Sequence, residues 1–159
     1  MRHTITLAAF AITLSGAAAD DQKPKQTEKP PAQPVMKQSL EGTYTILSVE
    51  REGKPAPLSE TDGSTVVITK TAIMGTDKDK KEFFSATYTL DLSKTPARIS
   101  MTRKVLGKDR KMTEETSAGI VKWDMDKVTI AYALPGGKPP TEFKAGDKQQ
   151  MIVLRIKQN

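Results

Sequence analysis

From Leu40 onward, apolar side chains recur at every second residue rather than every third or fourth. That period admits β-strands and excludes long amphipathic helices. The clearest run is Lys81 to Leu90, with Phe84, Ala86, Tyr88 and Leu90 on one face and Phe83, Ser85, Thr87 and Thr89 on the other. Near the C-terminus Ile152, Leu154 and Ile156 oppose Met151, Val153, Arg155 and Lys157. Lys127 to Ala133 sets Val128, Ile130 and Tyr132 against Thr129, Ala131 and Ala133, whose small size suits a curved or tightly packed wall. Shorter runs lie at Thr43 to Val49, Thr65 to Thr69, Arg98 to Thr102 and Gly119 to Trp123. Turn-forming clusters separate them, among them Glu52-Gly53-Lys54-Pro55, Thr61-Asp62-Gly63-Ser64, Asp124-Met125-Asp126 and Pro135-Gly136-Gly137. Seven or eight short strands at this spacing predict an all-β, antiparallel barrel or sandwich with at most one short helix. The weakest stretch is Lys104 to Ser117, where Thr113, Glu114 and Glu115 are compatible with a single helical turn.

The strands occupy residues 40–159, which is enough chain for one core. Ahead of them, Asp20 to Ser39 alternates Pro24, Pro30, Pro31 and Pro34 with Lys, Gln and Glu, the composition of an extended, disordered tether. Residues 1–19 read as a secretory signal peptide: Met1-Arg2-His3 carries charge, Thr4 to Leu14 is apolar, and Ala17 and Ala19 fit the A-x-A cleavage pattern. The expectation is an exported product, periplasmic or extracellular, beginning at Asp20. No later run approaches the roughly 20 apolar residues of a membrane-spanning helix, so no integral span is expected. Removing Arg2 with the signal leaves 24 basic against 19 acidic side chains, a net +5. With only 5% aromatic residues, that charge is not organised as a nucleic-acid platform, and no nucleic-acid partner is expected.

The chain has no cysteine, and its single histidine, His3, falls in the signal segment. The exported form therefore lacks disulfides, thiol chemistry, an imidazole base and the common zinc ligands, so no cofactor or metal is expected. Asp77, Asp79 and Glu82 lack the glycine and the spacing of a calcium loop. Carboxylates can act without histidine, and Asp124, Asp126 and Glu142 are the acids flanked by apolar residues; hydrolysis by Asp126 and Glu142 requires that the two be close and partly buried. Arg103, Lys104, Lys108, Arg110 and Lys111 form a basic cluster in a predicted hairpin loop, a candidate surface for an anionic envelope polymer. Tyr44, Phe84, Tyr88, Ile130 and Tyr132 would face inward together if the sheet closed, with Trp123 at a pocket mouth or as a core plug.

The order of motifs also resembles a family of uncharacterised, exported bacterial lipocalin-like domains. The resemblance runs through Leu40-Glu41-Gly42-Thr43-Tyr44, the Gly53-Lys54-Pro55 turn, Tyr88 to Pro96, Gly119-Ile120, Pro140-Thr141-Glu142-Phe143 and Met151 to Arg155. It implies an up-and-down β-barrel or half-barrel. Tyr44, Ser100, Ala131 and Pro139 stand where that pattern carries tryptophan, aspartate, cysteine and arginine. Pattern and resemblance together predict a secreted, non-enzymatic module holding a small apolar or amphipathic ligand, with Tyr44, Phe84, Tyr88, Trp123, Ile130 and Tyr132 as its lining. The alternative is an envelope-associated interaction protein with a solid barrel that works through its basic loop.

Overall fold

The computed structural model describes residues 38–107 and 110–157. The expected signal segment, Lys108 and the part of the expected tether before Gln38 lie outside the described residues. Among the described residues the strands are β1 Gly42–Arg51, β2 Lys54–Pro55, β3 Thr65–Ile68, β4 Ala72–Thr76, β5 Glu82–Asp91, β6 Ala97–Leu106, β7 Met112–Asp124, β8 Lys127–Ala133 and β9 Gln149–Ile156. One 3₁₀ turn, Leu58–Glu60, precedes β3. The neighbours run β1-β3-β4-β5-β6-β7-β8-β9, all antiparallel, and β9 pairs back onto β1. The result is a closed, eight-stranded, up-and-down barrel with the two-residue β2 on its margin. Closure removes the free edges that an exposed meander would present.

Turn chemistry explains the connections. Glu52 and Gly53 both have positive φ, 51° and 76°, between the paired Arg51 and Lys54, as a two-residue hairpin with primed geometry demands. The β4–β5 and β6–β7 hairpins are built alike. Lys80 N–H donates to Asp77 O at 3.0 Å and Asp77 N–H to Lys81 O at 2.9 Å; Arg110 N–H donates to Gly107 O at 3.0 Å and Gly107 N–H to Lys111 O at 2.8 Å. Each ends on a left-handed residue, Lys80 at φ 62° and Arg110 at φ 63°. In the first, the Asp77 carboxylate also accepts the Asp79 and Lys81 N–H groups, both at 2.9 Å. The stretch Lys104 to Ser117, compatible in sequence with a helical turn, is instead the tip of the longest hairpin: Arg103 pairs with Glu115 and Leu106 with Met112. Thr113, Glu114 and Glu115 alternate across the sheet as strand residues.

Inside, the barrel has two layers. The lower layer is filled by Tyr44, Ile68, Ile99, Val121 and Val128, with Leu40 wedged beneath it at 1% exposure. Three aromatic side chains fasten this floor through their polar ends. Tyr44 Oη donates to Leu40 O at 2.8 Å, Tyr88 Oη to Thr69 O at 2.9 Å, and Trp123 Nε1 to Ser39 O at 3.1 Å. Each hydrogen bond ties a ring to a chain segment that crosses or borders the closed end, so the rings satisfy their polar atoms while burying their apolar bodies. Burial of a Leu, Ile or Val in such a layer contributes about 1.5–3 kcal/mol.

A second core lies outside the barrel. Ile120, Ala131 and Ala133 point away from the interior, yet Ala131 is 0% exposed. The 134–148 connection crosses over them, burying Pro140 and Ala145 and placing the Phe143 ring under Lys122 Nζ at 4.8 Å. Ala145 N–H donates to Glu50 Oε1 at 3.3 Å, and Gln149 holds the connection by accepting from Gly146 N–H at 2.8 Å and donating to Lys138 O at 2.9 Å. The small alanines of β8 thus make room for a covering loop rather than for curvature alone.

Candidate functional site

The upper layer of the barrel is not filled. Above Leu154 and Met101 lies a cavity of about 240 Å³, and Val66, Ile73, Phe84, Ala86, Ile130 and Ile152 make its wall. This is the period-two pattern at work, since Val66 stands over Ile68, Met101 over Ile99 and Ile130 over Val128. The walls are apolar and the upper end is polar. Arg51, Arg103, Ser117, Tyr132 and Gln150 border the cavity there, and Phe83 and Pro135 complete the rim.

Two irregularities in the ladders place these rim residues. Between Ile46 and Ser48 the register of β1 against β9 shifts, so that Ile46 faces Leu154 while Val49 faces Ile152 and Arg51 faces Gln150. Without that bulge Arg51 would point to solvent. A second shift, at Gly75/Thr76 against Phe84 and Glu82, leaves Phe83 unpaired. Its ring folds over Gly75: a Cβ there would lie 2.7 Å from Phe83 Cζ, so only glycine leaves that seat free. Phe83 is therefore a rim residue, not an outer-face one, although 55% of it remains exposed.

The rim charges are held by neighbours. Arg51 donates from Nε to Gln150 Oε1 at 3.2 Å and from Nη1 to Glu60 Oε2 at 3.1 Å. Arg103 donates from Nε and Nη2 to the same oxygen of Glu115, at 3.1 and 2.7 Å. Partly exposed pairs of this kind add at most about 1 kcal/mol each to stability, so their main effect is to fix where the guanidinium groups point. Between them, burial pushes the Tyr132 hydroxyl up to about 12, against the opposing pull of the Arg51 and Arg103 charges. The phenol therefore stays protonated and keeps a donor at the cavity.

Of the residues singled out in the sequence, Phe84, Ile130 and Tyr132 line the cavity. Tyr44, Tyr88 and Trp123 do not; they belong to the floor, with their polar ends bonded as described. The basic cluster is divided: Arg103 turns into the mouth, while Lys104, Arg110 and Lys111 are exposed on the hairpin and Lys108 lies outside the described residues. Asp126 pairs with Arg155 at 3.2 Å in the β7–β8 turn, and both Asp126 and Glu142 are exposed. The partial burial that paired-acid hydrolysis needs is not met at either carboxylate. Arg51, Phe83, Ser117 and Gln150 escaped the sequence reading, and for Arg51 a trace was there: Ile46 and Val49 are three residues apart, an offset that a regular strand does not give. No helix among the described residues is long and apolar enough to cross a membrane, and no group of three metal-ligating side chains occurs among them. Neither a family model, nor a curated protein, nor a solved structure matches the chain.

Proposed function

We propose that this protein is a secreted, non-enzymatic binding module that holds one small apolar or amphipathic molecule in the upper half of its barrel. The observation that carries the reading is the cavity itself, about 240 Å³ with apolar walls above a floor of buried side chains. An eight-stranded barrel either fills its interior or keeps room for one small ligand, and this one does each at a different level. The absence of cysteine and of any histidine after His3 accords with a binding role, and the likeness to exported lipocalin-like domains supports it. Export itself rests on residues 1–19, and mass spectrometry of the secreted product would reveal a start at Asp20 if the reading holds.

The test is displacement of an environment-sensitive apolar dye from the full chain by small amphiphiles. Saturable one-to-one displacement is expected, and no saturable response across a broad panel would end the proposal. Trp123 emission is the poorer reporter, because its ring stands in the floor. A second reading, contact of an anionic envelope polymer with the β6–β7 hairpin, retains Lys104, Arg110 and Lys111 beside the exposed Leu106 and Met112 but loses Arg103 to the cavity mouth.

A further inference from the structure

The mouth of the cavity has hydrogen-bond donors in a defined arrangement. Around the closed ring, β1 and β6 are four strands apart in either direction, so Arg51 and Arg103 approach the opening from opposite sides. Tyr132, on β8, stands two strands from each. Arg51, Arg103 and Tyr132 all line the same cavity, so their donors share one opening. The hydroxyl has no hydrogen-bond partner among the described residues, and it is not a sealed, unsatisfied group, so it opens to the cavity. Neither arginine is used up. Arg51 makes its bonds through Nε and Nη1, and Arg103 through Nε and Nη2, leaving Arg51 Nη2 and Arg103 Nη1 uncommitted among the described residues. Arginine presents five N–H donors in a planar fork, so each can accept a second anion.

Below this polar ring the lining side chains are apolar, from Val66 and Phe84 down to Met101 and Leu154. Size follows from the same wall. An apolar cavity of about 150 Å³ admits benzene, six carbons, so by proportion this one has room for roughly ten. We infer that the occupant is an amphiphilic carboxylate with a chain of about eight to ten carbons, its tail in the barrel and its headgroup received between Arg51, Arg103 and Tyr132. This rests on the binding-module reading above and adds to it the headgroup charge and the tail length. Glu60 and Glu115 act against the ligand by occupying part of each fork, so they orient the arginines at some cost in affinity.

Calorimetry on the full chain with decanoate, decanol and decylammonium separates this inference from the reading beneath it. Decanoate is expected to bind at least about tenfold more tightly than decanol, with decylammonium weaker than both, and affinity is expected to level off for tails beyond about ten carbons. Arg51→Met and Arg103→Met keep the aliphatic stem and should each weaken decanoate about fivefold or more while leaving decanol within about twofold. Glu115→Gln should strengthen decanoate severalfold, a gain that loss of folding cannot mimic. Equal binding of decanoate and decanol, or preference for decylammonium, would overturn the headgroup assignment and leave the pocket standing. No saturable binding of any of the three would overturn both.

Discussion

At the level of single residues, glycines and tyrosines set most of what is particular to this barrel. Gly119 sits on β7 where β8 passes closely: a Cβ there would meet the Ala131 carbonyl oxygen and come within 2.9 Å of Tyr132 Cβ. Gly119→Ala is therefore expected to destabilise the fold by about 1–3 kcal/mol, the usual range for overpacking, and a urea midpoint measures it. Tyr132 provides a pH signature. Its hydroxyl is raised from an ordinary 10 to about 12 chiefly by burial, so between those values the folded chain keeps a proton that the unfolded chain gives up. Stability is then full below about pH 10 and falls as pH rises toward 12. Burial raises Tyr44 and Tyr88 as well, with the same sign. By pH 11 the Tyr132 share amounts to about 1 kcal/mol, and Tyr132→Phe should flatten the loss of stability between pH 8 and pH 11. A variant as alkali-sensitive as the parent would show that the phenol is not buried where its charge is penalised.

At the level of elements, strands and hairpins were legible in sequence wherever alternation was regular, and became illegible where it slipped. Phe84, Ala86, Tyr88 and Leu90 were readable as one inward face because β5 alternates without interruption from Phe84 on. One residue earlier the bulge opposite Gly75 turned Phe83 from the outer face onto the rim, and a single-residue shift of that kind leaves no mark in composition. The same holds for Arg51 beyond the bulge in β1. Lys104 to Ser117 read weakly because its strands extend past the core, where nothing requires apolar residues, and Leu106 and Met112 remain exposed there. The alanines of β8 were visible as small, but their cause lies in the 134–148 connection, whose path no period reveals. Ala131→Leu tests that path. With Ala131 wholly buried, the larger side chain should lift the connection, lowering stability by about 1–3 kcal/mol and increasing proteolytic cleavage within residues 138–147. Unchanged cleavage would mean that the connection does not cover β8.

At the level of the whole molecule, the fold divides its labour by height. The closed end spends its aromatic residues on a hydrogen-bonded floor that helps hold the domain together without disulfides, while the open end keeps a volume bordered by two arginines and a tyrosine. Barrel class could be read from sequence because period and turns agree along the whole domain. Whether the interior was full or empty could not, because Phe84, Ile130 and Tyr132 have the same sequence signature as the floor residues Tyr44 and Tyr88. Height along the strand separates the two groups, and height depends on register. Function then turns on whether the upper layer is an accessible apolar cavity above a floor of buried side chains. Methyl-resolved NMR of the full chain during titration with decanol tests it most directly. Saturable shifts are expected at Val66, Ile73, Ile130 and Ile152, with Ile68, Ile99 and Val121 nearly still; shifts confined to exposed Leu106 and Ile156, or none that saturate, would rule the cavity out as a binding site.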